Sequence, residues 1–279
     1  MPTCKVCKSL TKFSFSAKIL KKYDVSYYQC TACGFLQTED PYWLDEAYSD
    51  VIADSDTGLV MRNISIATKL AALLYLRFDG RGKYVDVAGG YGMLVRVMRD
   101  FGFDFYWEDK FCRNLLALGF EAKTLDKNIC ALTAFEVLEH VPDPVAFITE
   151  KMDSYKCRNL IFSTELYQGD LQPDMSWHYY SFHSGQHISF YTKSTFKKIA
   201  DLLGLNFYTF NGLHILSEHK LSISLLLRLF SSRLAPIFAL FARHRLGSLT
   251  VKDNLKIIGE SEDKFLDCVS KYGGLPTQK

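Results

Sequence analysis

Two pairs of cysteines open the chain. Cys4-Lys-Val-Cys7 is followed by 22 residues and then by Cys30-Thr-Ala-Cys33. A CxxC turn lets two sulfurs face one ion, and two such turns complete a tetrahedron, the spacing of a structural zinc site. Cys4, Cys7, Cys30 and Cys33 are therefore expected to hold Zn2+. Four thiolates leave no open coordination position, so the expected role is folding rather than catalysis. A second concentration of chemistry lies at 165–191, ELYQGDLQPDMSWHYYSFHSGQHISFY. It holds Trp177, His178, Tyr179, Tyr180, His183, Gln186, His187 and Tyr191, with three of the chain's seven histidines. Imidazoles exchange protons near neutral pH, and aromatic faces and amides suit sugar recognition. The histidines show no HxxxH or HExxH spacing, so metal binding by them is not expected.

The third constellation is Lys83-Tyr-Val-Asp86-Val-Ala88-Gly89-Gly90-Tyr-Gly92. The apolar run before Asp86 predicts a buried parallel strand, and Leu94, Val97, Met98 and Phe101 have helical spacing. The glycines then fall at a strand-to-helix turn, where doubly wound sheets bind ligands. A dinucleotide pattern would need glycine at 95, which is Val95. Phe103–Trp107 predicts the second strand, ending at Glu108-Asp109, 17 residues after Gly92. An acidic residue there can accept from both ribose hydroxyls; Asp109 is the first choice and Glu108 the alternative.

Other elements must position these groups. The string 129–144, ICALTAFEVLEHVPDP, predicts a buried strand ending at Phe135-Glu136, a short turn through Glu139-His140 and a proline-marked helix start. Residues 158–163 predict a further strand, and 192–204 an amphipathic helix with Phe196, Ile199, Ala200 and Leu203 on one face. Residues 205–210 and 213–216 then predict a closing antiparallel hairpin.

The Asp86-x-x-x-Gly90-x-Gly92 motif resembles the first motif of class I S-adenosylmethionine-dependent methyltransferases, and FEVLEHVPDP resembles their segment after the fourth strand. The family usually has glycine where Ala88 stands; alanine still leaves room near a ligand. The resemblance implies an α/β, Rossmann-like fold: a mostly parallel seven-stranded sheet with helices on both faces. It implies S-adenosylmethionine as cofactor, held by Asp86, Ala88, Gly89, Gly90, Gly92 and Asp109, with Phe135 and Glu136 beside the methionine half. The whole chain resembles methyltransferases with an N-terminal zinc-binding region, among them sugar C-methyltransferases and enzymes of surface-polysaccharide synthesis. There the segment before the first strand closes over the cofactor, which makes Tyr48 and Arg62 pocket residues. GQHISFY resembles a recurrent segment of these enzymes, so His187 is the first choice for general base, His178 the second, with Tyr180 and Tyr191 as orienting groups. Glu139-His140 is expected either at the active site or in a structural role.

The expected organisation is a zinc module at 1–40, a helical lid or linker at 41–82, the cofactor-binding domain at 83–217 and a C-terminal helical extension at 218–279. The 279 residues carry 33 Lys+Arg against 31 Asp+Glu, a net charge of +2, which lacks the lopsidedness of a nucleic-acid binder. An RNA methyltransferase using the module as a clamp is the rival, since 5–22 holds six lysines. A catalytically inactive scaffold is the other. No charge-free apolar run reaches 18 residues, so no transmembrane helix is expected. The start, Met1-Pro-Thr-Cys4, lacks the layout of a secretory signal, which predicts a cytoplasmic chain. Residues 221–245 are apolar at helical spacing with Pro236 and interspersed arginines. They are expected to pack on the main domain or a second subunit, with peripheral membrane approach as the alternative.

Overall fold

The small N-terminal sheet starts with β1 (Thr11–Ile19), β2 (Tyr23–Cys30) and β3 (Leu36–Thr38). In the computed structural model, residues 1–48, 56–124, 128–168, 172–222 and 234–259 are described. β1 and β2 pair antiparallel, Thr11 opposite Cys30 and Ile19 opposite Tyr23. Ala17, Ile19, Val25 and Tyr27 point to one buried face, the period-two pattern of a sheet with one covered side.

Then come α1 (Leu44–Ala47), α2 (Leu59–Arg77), β4 (Lys83–Val87), α3 (Met93–Asp100), β5 (Asp104–Glu108) and β6 (Ile129–Phe135). They are followed by α4 (Pro144–Tyr155), β7 (Asn159–Ser163), β8 (Ser189–Phe190) and α5 (Lys193–Leu203). β9 (Asn206–Phe210), β10 (Leu213–Ser217), α6 (Ala235–Leu246) and α7 (Thr250–Ile258) complete the described chain.

The central sheet has the order β5-β4-β6-β7-β10-β9. Its first four strands run parallel, and β10 is antiparallel to both β7 and β9. The expected closing hairpin is present. The expected count of seven strands is corrected to six among the described residues. Beside β5 the described residues make one parallel bridge, Trp107 opposite Glu121. Gly119, at positive φ, precedes the bridge, and a 3-10 turn at Ala122–Thr124 follows it at once, so no ladder can grow.

Local chemistry explains the helix ends. Asp143 accepts from the Ala146 N–H and Pro144 takes the first turn of α4. Thr192 and Thr195 form a reciprocal capping box on α5, and Gly204 closes it in the left-handed region. α2 is long and apolar enough to cross a membrane by length and composition. Its Ile66, Ala67, Leu70, Ala71 and Leu74 are buried in one core with Leu94, Val95 and Met98 of α3 and Ala239 and Ala242 of α6. α7 is tied in by Asp253, which accepts from Arg99 at 2.7 Å on both oxygens and from Arg96 at 2.8 Å. Of the apolar stretch 221–245, residues 223–233 lie outside the described residues, as do Cys268 and the Gly273-Gly274 tail.

The two sheets are joined by β8. It comes from the loop between β7 and α5 and pairs antiparallel with β3, Leu36 opposite Phe190, so a strand from the centre of the chain completes the N-terminal sheet. The Thr192 and Thr195 hydroxyls donate to the Cys33 carbonyl at 3.2 and 2.9 Å, which docks the second cysteine turn on the start of α5.

Candidate active site

The four parallel strands end on one edge of the sheet, and the singled-out residues collect there. Asp86 is buried in β4, and its Oδ1 accepts from the Thr133 hydroxyl of β6 at 2.6 Å. Burial pushes its carboxyl up to about 7; the Thr133 hydrogen bond works against this and the Asp109 charge adds to it. The glycine turn follows. Ala88, Gly90 and Gly92 all have positive φ. A Cβ on Gly89 would stand 2.9 Å from Asp86 Oδ2 and 3.0 Å from the Trp107 ring, so only glycine fits there. At Ala88 room is not the issue. Its φ of 58° is what glycine adopts freely, and the alanine bears a strain of roughly 1–2 kcal/mol. Glu136, at the end of β6, also has positive φ, 54°. Strained residues at the ends of two neighbouring strands mark the crevice where open α/β sheets bind ligands.

The two acidic candidates at the end of β5 separate cleanly. Glu108 is taken by α4: Lys151 Nζ lies 2.6 Å from Oε1 and the Tyr155 hydroxyl donates to Oε2 at 3.2 Å. Asp109 turns to the glycines. Its Oδ2 accepts from the Gly90 N–H at 2.9 Å, and Oδ1 accepts from Phe111 and Cys112 N–H at 2.7 Å. A carboxylate fixed against a glycine turn is the acceptor expected for ribose hydroxyls, so the residues present fit an adenosyl cofactor.

A second group of side chains gathers beyond β6. Glu139 and His140 sit on a 3-10 turn at Leu138–His140. That turn is stitched to the segment around β8. The Ile188 N–H donates to the Glu139 carbonyl at 2.9 Å, the Ser189 hydroxyl to the Val141 carbonyl at 2.7 Å and the Tyr191 hydroxyl to the Leu138 carbonyl at 2.6 Å. These bonds bring His140 and His187 ring to ring, 4.8 Å between centroids. Donor atoms of Glu139, His140 and His187 lie within 4.8 Å of one another. Burial lowers the His140 ring to about 4 and the His187 ring to about 3, the latter helped by His140. His187 alone is thus a poor holder of a proton at neutral pH. Glu139 is fully buried and pushed up to about 7 by desolvation. The Thr164 and Tyr179 hydroxyls, 3.0 Å apart, face it, yet neither carboxylate oxygen has a partner at hydrogen-bonding geometry.

The remaining expected residues fall as follows. Tyr48 lies between the two groups, its ring 6.2 Å from Phe111 and 6.2 Å from His140. Arg62 is held by both oxygens of Asp56, at 3.0 and 2.6 Å, and its charge acts on Glu136 and Glu139. Phe135 packs against the core that α2 and α3 share. Glu136 receives the Ser163 hydroxyl, and burial with the neighbouring Glu139 pushes it up to about 7. His178 is not brought to the site: its side chain is 81% exposed, 3.4 Å from Glu165. Tyr180 is not either. Its hydroxyl donates to the Pro173 carbonyl and its ring packs among Phe15, Tyr27, Trp177, Phe182 and Phe190. The aromatic loop therefore serves largely as the core of the small sheet. Glu139, expected at the active site or in a structural role, stands beside the two histidines, and Thr164, which the sequence patterns did not single out, faces Glu139.

The four cysteines meet as spaced. Cys4 Sγ is 3.7 Å from Cys33 Sγ and Cys7 Sγ is 3.4 Å from Cys30 Sγ. A tetrahedral ion with bonds of about 2.3 Å sets sulfurs roughly 3.8 Å apart, whereas a disulfide requires about 2.05 Å. Backbone N–H groups of Cys7, Ala32 and Cys33 donate to the sulfurs of Cys4 and Cys30 at 3.4 Å. The Cys33 thiol pushes Cys4 down, while the same bond together with burial pushes Cys33 up and burial pushes Cys30 up, so a cation would be needed to hold all four as thiolates. The set fits a zinc ion.

Comparison with known proteins decides the family. The family described as "Methyltransferase domain" matches residues 62–209. The chain belongs to it. This methyltransferase domain takes in the glycine turn, Asp109, the Glu139-His140 turn and His187. Among solved structures, TnmH is similar at 16% identity over 63% of this chain and 60% of that one, TM-score 0.43. The mitomycin 7-O-methyltransferase MmcR is similar at 14% identity over 62% and 59%, TM-score 0.40. Magnesium protoporphyrin IX methyltransferase from Synechocystis PCC 6803, with bound SAM, is similar at 14% identity over 63% and 90%, TM-score 0.36. The chain spans about 60% of the length of the first two. No curated protein matches it.

The state of Asp86 gives a first prediction. Its folded value, about 7, lies above the usual carboxylate value, so folding takes up a proton between about pH 4 and 7. Stability from this group is present at low pH and falls as pH rises, on the order of 1.4 kcal/mol per pH unit. Asp86→Asn keeps an oxygen for the Thr133 hydroxyl and removes the titration. In urea unfolding, its stability gain over the parent should grow from pH 5 to 7 and then level off. A gain independent of pH would mean that Asp86 is ionised in the fold.

Proposed function

We propose that the protein transfers a methyl group from S-adenosylmethionine to a hydroxylated small molecule of the sugar or glycan-intermediate class, on oxygen or carbon. The carrying observation is Tyr48, whose ring touches both Phe111 of the Asp109 loop and His140 of the histidine cluster. It joins a nucleoside-binding turn and a buried polar cluster into one crevice. The cofactor, when bound, supplies an activated methyl on a sulfonium. The chain's own residues do the rest. Asp109 and the Gly89–Gly92 turn fix the nucleoside, while Glu139, His140 and His187 hold the acceptor end and favour loss of its proton. The sugar class is supported by the resemblance to zinc-region methyltransferases and by this polar cluster, not by the aromatic loop.

Zinc on Cys4, Cys7, Cys30 and Cys33 completes the proposal as a folding element. The module's lysines speak against an RNA clamp. Lys5, Lys8, Lys18 and Lys22 each lie within 4 Å of a carboxylate, on Asp40, Asp143, Asp24 and Glu46. RNA affinity falling steeply with salt would restore the clamp.

Calorimetry with S-adenosylhomocysteine on zinc-loaded protein tests the cofactor half: one-to-one binding is expected. A folded protein that binds none would overturn the proposal and favour a scaffold. Asp109→Ala removes the carboxylate facing two ribose hydroxyls, at about 1.5–3 kcal/mol per charge-assisted bond, so affinity should fall about 100-fold or more with zinc content unchanged. Glu108→Gln should bind as the parent does. The reverse pattern would move the ribose role to Glu108.

A further inference from the structure

We propose that Glu139, His140 and His187 form a second metal site, for a divalent transition-metal ion, beside the thiolate site. Two imidazoles and one carboxylate whose donor atoms lie within 4.8 Å of one another are a borderline-hard N/O set, suited to ions such as Zn2+, Fe2+, Co2+ or Mn2+. Bonds of about 2.0–2.2 Å would set these atoms roughly 3.3 Å apart, within the 4.8 Å that now encloses them.

Two independent features prepare the residues for an ion. First, each ring is oriented from outside the cluster. His140 Nδ1 lies 3.1 Å from the Gln186 carbonyl and His187 Nδ1 lies 2.6 Å from the Tyr179 carbonyl. A carbonyl only accepts, so Nδ1 carries the proton and Nε2 keeps its lone pair, the outer-shell arrangement of metal-ligating histidines. Second, Glu139 is wholly buried, faced by the Thr164 and Tyr179 hydroxyls, and neither oxygen has a partner at hydrogen-bonding geometry. A buried carboxylate without a partner is costly, and the nearby guanidinium of Arg62 is already held bidentately by Asp56. A cation between Glu139 and the two rings would satisfy all three groups at once. Tertiary stitching between the Leu138–His140 turn and β8 brings the ligands together, so no HxxxH pattern announces the site.

Three protein ligands leave coordination positions open. The following consequence rests on the methyl-transfer proposal. A hydroxyl oxygen of the acceptor would take an open position and lose its proton to water more readily than when free. That oxygen would then bond to the methyl carbon as the carbon–sulfur bond breaks and its electron pair returns to sulfur.

The test is metal stoichiometry on the full chain. Protein carrying one thiolate-bound Zn2+ per chain is equilibrated with excess Co2+, and separately with Mn2+, then freed of loose ions. One further equivalent per chain is expected, and the cobalt form should show weak ligand-field bands without the intense thiolate charge-transfer band. His140→Ala and Glu139→Gln should each lose that equivalent and keep the thiolate-bound zinc and affinity for S-adenosylhomocysteine, which shows them folded. Glu139→Gln also relieves a buried charge, which guards against misfolding. No second equivalent in the parent, or one that survives both variants, overturns the site. If S-adenosylhomocysteine fails to bind while the second ion does, the methyl-transfer proposal falls and the metal site stands.

Discussion

Cys33→Ser should drop zinc content from one thiolate-bound ion per chain to none, lower the melting temperature steeply and abolish turnover, while the fraction that stays folded binds S-adenosylhomocysteine within a few-fold of the parent. The magnitudes decide this split. Structural zinc contributes about 10–16 kcal/mol of apparent binding energy at pH 7, against a whole-domain margin of about 5–15 kcal/mol. The small sheet has an aromatic core around Tyr27, Trp43, Tyr180 and Phe190, and the cysteine turns share a second core with Val85, Leu132 and Phe162, so loss of the ion should loosen the small sheet where it meets the central one. Its loss is not confined to the N-terminus. β3 pairs with β8, and the Cys33 carbonyl anchors Thr192 and Thr195 at the head of α5. Ser189 starts β8, two residues beyond His187, so the histidine cluster loses its backing. The glycine turn and Asp109 belong to the other sheet, and their hydrogen bonds do not involve the cysteines. Zinc analysis, calorimetry and a melting curve check each part. A Cys33→Ser protein that melts like the parent would show that the cysteine cluster does not fold around an ion.

The cofactor end is far more legible in the sequence than the acceptor end. The glycine turn and Asp109 lie 17 residues apart on adjacent parallel strands, so strand length and turn chemistry carry the information locally. Apolar periodicity likewise places α3, α5, β6 and the closing hairpin within a residue or two of their observed bounds. What fails is what only tertiary contact decides. β8 is two residues long and reads as loop; it is a strand because β3 offers it an edge. Among the described residues no seventh strand forms, because a positive-φ glycine and a 3-10 turn bracket one bridge. Tyr180 resembles a recognition residue by composition, yet hydrophobic burial wins and it becomes core. By size Ala88 is a mild replacement for glycine, whereas its backbone hand is what matters. Glu139 faces His187 across 48 residues of sequence, through hydrogen bonds that no local pattern encodes.

His187→Ala should lower turnover with a screened acceptor by about 10²–10⁴-fold and leave affinity for S-adenosylhomocysteine within about two-fold. The ring sits within 4.8 Å of Glu139 and His140, away from the Asp109 hydrogen bonds that hold the nucleoside end. Its burial makes it a weak proton acceptor on its own, so its contribution must come through its neighbours, whether by a shared ion or by the Glu139 charge. A merely structural role is the competing account, because the ring also donates to the Tyr179 carbonyl at 2.6 Å and packs on the Tyr179 ring. His187→Asn separates the two. Its amide can still donate to that carbonyl and fills part of the ring's space, but it offers no imidazole lone pair. If the ring acts on the acceptor, Asn should melt near the parent temperature and be as inactive as Ala. Recovered turnover in Asn would assign His187 to packing and move the chemistry to Glu139 and His140, the two members of the cluster that the substitution leaves in place.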